Sequence, residues 1–128
     1  FNHYAFGSLG DWLFRYAAGI DSSSAGFKNL TLRPCPDARL GKLAIDVMTN
    51  VGAVGSAWEV QADTSVLYRF KIPGGASAVV GLLAPTADAV TTAGAGLTTI
   101  KGIDTVRAEG GRVVFRAAPG TYTFLVKP

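Results

Sequence analysis

The sequence predicts a mainly β protein, an antiparallel β-sandwich preceded by one α-helix. Three observations predict it. Apolar residues recur with a helical period between Phe6 and Ile20, and from Phe27 onward they alternate with a period of two. Short alternating runs are separated by Gly- and Pro-containing turns, as expected where two sheets bury facing sides. Finally, 48% hydrophobic against 16% charged residues in a 128-residue chain is enough apolar matter for one core.

The helix is predicted over Phe6–Ala18, with Phe6, Leu9, Leu13, Tyr16, Ala17 and Ile20 on one face. Asp11 and Arg15, four apart, form a surface pair on another face. Gly7 and Gly10 weaken such a helix by about 1 kcal/mol each relative to Ala, which suits a place where another backbone approaches closely. Gly19 suits its C-terminal stop. Asp21–Gly26 is a run of small and polar residues and the best boundary, dividing the chain into residues 1–26 and 27–128.

Beyond it, Leu30 and Leu32 alternate with Asn29, Thr31 and Arg33 in a strand over Lys28–Arg33. Pro34 and Pro36 end it, because neither carries an N–H for a ladder. Leu43, Ile45 and Val47 share one side of the next strand, opposite Lys42 and Asp46. A bend is expected at Gly52–Gly55, followed by Trp58 and Val60 alternating with Glu59 and Gln61. The clearest strand is Ser65–Ile72, with Val66, Tyr68, Phe70 and Ile72 opposite Arg69 and Lys71. Pro73-Gly74-Gly75 turns the chain into another apolar strand, Ser77–Leu83. Ala84–Gly96 has no period and reads as a long connection, with a short strand at Gly96–Ile100. Thr105–Ala108 and Arg112–Ala117 flank Glu109-Gly110-Gly111 as a hairpin. Thr121–Val126 follows Pro119-Gly120, giving seven to nine strands in all.

Several function classes find no support. The net charge is +3, but the cations stand singly from Arg15 to Lys127, so neither nucleic acid nor a membrane is an expected partner. No apolar run approaches the ~18 residues of a membrane-spanning helix. Cys35, between Pro34 and Pro36, reads as a partly buried thiol with no second cysteine to pair with. Asp46, Glu59, Asp63, Asp88, Asp104 and Glu109 fall at strand or turn positions with no paired spacing for acid–base work. One histidine among dispersed carboxylates matches no metal-ligand pattern, and no cofactor is expected. Gly74-Gly75 and Gly110-Gly111 lack the strand–loop–helix setting of a phosphate loop. Asn29-Leu30-Thr31 matches a glycosylation sequon formally, within a predicted strand.

Asn2-His3-Tyr4 stands apart. An amide, an imidazole and a phenol adjoin there, groups that give and take the directional hydrogen bonds of a hydroxyl-rich ligand. The same residues also read as a cap, Asn2, with His3 and Tyr4 packed at the start of the helix. The residues alone leave both readings open.

These residues, with Gly7, Gly10-Asp11-Trp12-Leu13 and Arg15-Tyr16, resemble the segment that closes the catalytic barrel of glycoside hydrolase family 78, the α-L-rhamnosidases. The resemblance continues through Gly26-Phe27-Lys28 to Pro34, then Pro36, and through Val54-Gly55-Ser56 with Trp58, Phe70-Lys71-Ile72-Pro73 and Pro119-Gly120-Thr121-Tyr122-Thr123-Phe124. It is weakest over Ala84–Thr105. Phe14 stands where a tyrosine is frequent, and Asn50-Val51 replaces a turn richer in Pro and Tyr.

The resemblance implies that residues 1–26 are the last helical segment of an (α/α)6 barrel and residues 27–128 its C-terminal β-sandwich. It implies a parent that releases terminal α-L-rhamnose from glycosides with inversion, by an acid and a base that lie upstream of Phe1. No catalytic residue is then expected in this chain. His3 alone is carried over as a substrate-binding residue, with Asn2, Tyr4 and Trp12 in support. The chain starts at Phe1 without a leader-like pattern, so a C-terminal fragment is expected, itself structural and inactive. Its expected partners are rhamnosides through the parent, the catalytic barrel, and a second copy should the apolar helix face stay uncovered. Bacterial cytoplasm, periplasm and secretion all remain open. The alternative is an independent carbohydrate-binding module using Trp58, Tyr68 or Tyr122, although their alternation with polar neighbours points those rings inward.

Overall fold

A computed structural model describes residues 17–22 and 29–128. The predicted helix, apart from its last residues, lies outside them, as do Asn2, His3, Tyr4, Asp11, Trp12 and Arg15. The described residues form eleven strands: β1 (Ile20–Ser22), β2 (Asn29–Leu32), β3 (Lys42–Thr49), β4 (Gly52–Val60), β5 (Val66–Ile72), β6 (Ser77–Leu83), β7 (Val90–Thr92), β8 (Ala95–Gly96), β9 (Ile103–Glu109), β10 (Arg112–Ala117) and β11 (Gly120–Val126). They make two sheets, one ordered β1-β2-β6-β10-β9 and the other β3-β4-β5-β11-β7-β8. All pairings are antiparallel except β2 with β6, which run parallel from Asn29↔Ser77 to Leu32↔Val80. The mainly β sandwich is as the sequence predicts.

The alternation that predicts the strands also fills the core. Leu30 and Leu32 of β2, Val80 and Leu82 of β6, and Val113 and Phe115 of β10 are buried on the first sheet. Opposite them lie Trp58 of β4, Tyr68, Phe70 and Ile72 of β5, and Phe124 and Val126 of β11. Phe115 meets Phe124 edge to face across the sheets, with centroids 5.2 Å apart and planes at 66°. Such a contact is worth about 0.5–1.5 kcal/mol beyond the area it buries. Gly110 (φ 59°) and Gly111 (φ 79°) both take left-handed backbone between Glu109 and Arg112, which suits the right-handed twist of β9 and β10.

Four local expectations need correcting. Gly52–Gly55 is not a bend but the first half of β4, and the turn falls at residues 50–51. Gly55 is there because of close approach: an added Cβ would stand 2.8 Å from Asp46 Oδ1 and 3.3 Å from Lys71 Cβ, the side chains of the two flanking strands. The connection after Leu83 contains the small hairpin β7–β8, with β7 paired to β11, and the expected strand at Gly96–Ile100 is instead a 3-10 turn at Leu97–Thr99. Buried Val90 and Leu97 pin this stretch to the core without any alternating run. Cys35 is exposed rather than partly buried. Finally, Ile20 lies not on a helical stripe but in β1, paired with Leu32.

Candidate functional site

The residues that lead into the sandwich are fastened more tightly than any loop needs to be. Ala17, Ala18 and Ile20 are all at most 1% exposed. Two side chains on the inner side of β4 reach across the sandwich to this stretch. Trp58 Nε1 donates to the Ala17 carbonyl at 2.7 Å, and Ser56 Oγ donates to the Ala18 carbonyl at 2.6 Å. From the residues just past β2, the Arg33 amide donates to the Gly19 carbonyl at 2.9 Å, and the Cys35 amide to the Ala17 carbonyl at 3.3 Å. Three successive carbonyls are therefore satisfied from β4 and from the residues that follow β2. Gly19 makes this geometry reachable. Its φ is +70°, and a Cβ there would lie 2.1 Å from the Arg33 carbonyl carbon and 2.2 Å from the Pro34 nitrogen.

A second strut closes the neighbouring edge. The parallel ladder of β2 and β6 stops before Pro34, which has no N–H, and Arg112 Nη1 takes up the carbonyls left there. It donates to Pro34 at 3.1 Å and to Gly81 at 2.7 Å, while Nη2 stands 3.2 Å from the Cys35 sulfur. Burial pushes the Tyr68 phenol far above its ordinary pKa, against a small opposing pull from the Arg112 charge. That ring is a neutral core element, 1% exposed.

Against the sequence-based candidates the geometry is selective. Trp58, Tyr68 and Tyr122 are 2%, 1% and 8% exposed, so none offers a ring for a sugar to stack on. Tyr122 Oη is committed to the Ala118 carbonyl at 2.7 Å. A groove of ≈ 470 Å³ at β3, β4 and β5 is lined by Leu43, Ala44, Ala57, Leu67 and charged side chains, and the one aromatic residue in its lining, Trp58, is only 2% exposed.

Among the described residues two carboxylates are displaced from their ordinary pKa, both downward. Asp37 is held at a pKa of about 2 by hydrogen bonds from the Arg39 side chain and amide, and Asp63 is lowered by the Ser65 hydroxyl and amide. Both shifts run opposite to what a general acid needs. Among the described residues no three His, Cys, Asp or Glu side chains come together to hold a metal. The Asn29 sequon lies in β2, which is paired on both sides, with Leu30 buried beneath. Sequence reasoning missed the Ala17–Gly19 clasp, for which Trp58 and Ser56 gave no sign beyond their inward positions.

Fold and clasp together define a β-sandwich domain whose leading segment is stapled into its own core. A family profile described as the bacterial alpha-L-rhamnosidase C-terminal domain matches residues 19–96. The chain belongs to that family. It is 29% identical over 126 residues to an alpha-L-rhamnosidase of Formosa agariphila, covering 98% of this chain and 14% of that protein. An alpha-L-rhamnosidase of Streptomyces avermitilis is 30% identical over 126 residues, again covering 98% of this chain but 11% of its own length. The crystal structure of the Streptomyces avermitilis alpha-L-rhamnosidase complexed with L-rhamnose superposes with a TM-score of 0.80 at 29% identity, over 98% of this chain and 11% of that one. An alpha-L-rhamnosidase from Dictyoglumus thermophilum shares the fold, with a TM-score of 0.75 at 21% identity over 98% of this chain and 14% of that one. The chain thus spans between 11% and 14% of the length of these relatives.

Proposed function

We propose that this chain serves an α-L-rhamnosidase, as the C-terminal sandwich that anchors and stabilises a catalytic barrel. The observation that carries this reading is similarity over 98% of the chain to two alpha-L-rhamnosidases, each far longer than the match. The whole protein removes terminal α-L-rhamnose from glycosides with inversion, using a carboxylic acid to protonate the leaving oxygen and a carboxylate to activate water. Both groups lie outside this chain, which is silent by itself. In support, the described carboxylates with displaced pKa values are displaced downward, and Trp58, Tyr68 and Tyr122, the rings a free-standing carbohydrate-binding module would use, are buried.

Residues 1–26 include the closing helical segment of the barrel, and His3 contacts the sugar there. The clasp gives that segment a fixed point. His3 precedes by fourteen residues the Ala17 carbonyl that Trp58 holds. The test is His3→Ala in the full-length protein. Losing a hydrogen bond to bound substrate should lower kcat/KM at least about tenfold. Unchanged kcat/KM removes His3 from the site and leaves it a packed residue.

A further inference from the structure

The outer side of the first sheet carries a polar depression that neither the clasp nor the core accounts for. It measures ≈ 350 Å³ and is lined by Asn29, Thr31, Ser77, Val79, Arg107 and Arg116. Register explains how they meet. Thr31 of β2 stands beside Val79 of β6, which stands beside Arg116 of β10, so these side chains emerge on one side of three adjacent strands. Val79, 36% exposed, forms an apolar floor between hydroxyls on one side and guanidinium groups on the other.

The charges on this face do not close among themselves. Its carboxylates are Asp21, Asp104 and Glu109. Glu109 accepts from Arg107 Nε at 2.9 Å, and Asp104 accepts from the Thr105 hydroxyl at 2.8 Å. Asp21 has an interaction of its own. Arg112 is spent on the Pro34 and Gly81 carbonyls. Arg116 and Arg33 remain, on the same side of the sheet, and neither guanidinium has a hydrogen bond or ion pair among the described residues. Although Asp104 is the cross-strand neighbour of Arg116, the two form no ion pair.

A free planar guanidinium fork is matched by a carboxylate, which it grips with two parallel hydrogen bonds. The Thr31 and Ser77 hydroxyls across the floor can serve further hydroxyls on the same ligand. We propose that this depression is a carboxylate-binding site centred on Arg116, supported by Arg107. The hydroxyls of Thr31 and Ser77 beside the guanidinium groups fit an acidic sugar, which carries both a carboxylate and hydroxyls. The proposal stands independently of the rhamnosidase reading.

The test is an NMR titration of the 128-residue chain with D-glucuronate, acetate and D-glucose, at ionic strength held constant with sodium chloride. Glucuronate should give saturable shifts at the amides of Thr31, Ser77, Val79 and Arg116, and glucose none. Arg116→Gln should weaken binding about tenfold. Arg116→Lys, which keeps the charge and loses the fork, should fall in between. Lys71→Gln, on the outer side of the other sheet, should leave binding unchanged and so separates a site from net charge. Acetate as tight as glucuronate overturns the assignment to an acidic sugar, because the hydroxyls then contribute nothing. Acetate at least about tenfold weaker assigns it to an acidic sugar held also by the hydroxyls. Absence of saturation with both acids, or a folded Arg116→Gln variant that binds as before, overturns the proposal.

Discussion

Gly19→Ala is the sharpest single perturbation of the clasp. Left-handed backbone at an alanine costs about 1–2 kcal/mol on its own. The new Cβ cannot stay 2.1 Å from the Arg33 carbonyl carbon, and the atoms it meets are backbone, which cannot swing aside. The 17–22 stretch must therefore draw back from β2. Hydrogen bonds to the Ala17, Ala18 and Gly19 carbonyls, each worth about 1 kcal/mol net, go with it. With four such bonds and the backbone term, the expected loss is about 5–6 kcal/mol, comparable to the roughly 5–15 kcal/mol that holds a domain folded. Gly41→Ala is the matched control. Its φ is +82°, yet nothing lies within 4 Å of its added Cβ, so it pays only for the backbone conformation. Urea unfolding followed by far-UV circular dichroism measures both. A Gly19→Ala loss no larger than that of Gly41→Ala would refute the clasp geometry.

Two further predictions concern single groups. Ser56→Ala removes the hydroxyl that serves the buried Ala18 carbonyl and should cost about 1–3 kcal/mol by the same urea assay; a loss within error of zero contradicts the bond. The Asp37 carboxyl, held ionised by the Arg39 side chain and then its amide, should titrate at about 2 by carbon-detected NMR rather than near the ordinary ~3.9. Because the folded pKa is the lower one, its stabilisation is present above the unfolded value and disappears as pH falls through about 2. Arg39→Gln should return the midpoint to the ordinary range, and a midpoint already there in the unaltered protein contradicts the pairing.

Much of the sandwich is legible because burial and chemistry alternate together. Tyr68, Phe70 and Ile72 are buried and Arg69 and Lys71 exposed, so β5 can be read directly, as can Tyr122, Phe124 and Val126 in β11. Other elements are set by contacts with no local trace. Ile20 fits an i, i+3 stripe with Ala17, yet Ser56 and Trp58, 38 and 41 residues from the carbonyls they bind, draw this stretch into the sandwich. Gly55 looks like a turn residue, although its role is to let Asp46 and Lys71 close over β4. In β7 and β8 the stretch from Val90 to Gly96 is Val, Thr, Ala and Gly, whose pattern is flat; only buried Val90 and, just beyond, Leu97 mark it as packed. Family membership was legible from motifs. The clasp was not, since Trp58 reads equally well as plain core until its indole N–H finds the Ala17 carbonyl.

The most direct measurement is turnover of para-nitrophenyl α-L-rhamnoside by the purified 128-residue chain, beside the full-length protein at equal molarity. The account predicts release of nitrophenol by the full-length protein and none above the buffer blank by the chain alone. It also predicts that deleting residues 27–128 from the full-length protein lowers the temperature at which activity is lost. Rhamnoside hydrolysis by the chain alone would contradict the account, because an acid and a base would then have to reside within these 128 residues.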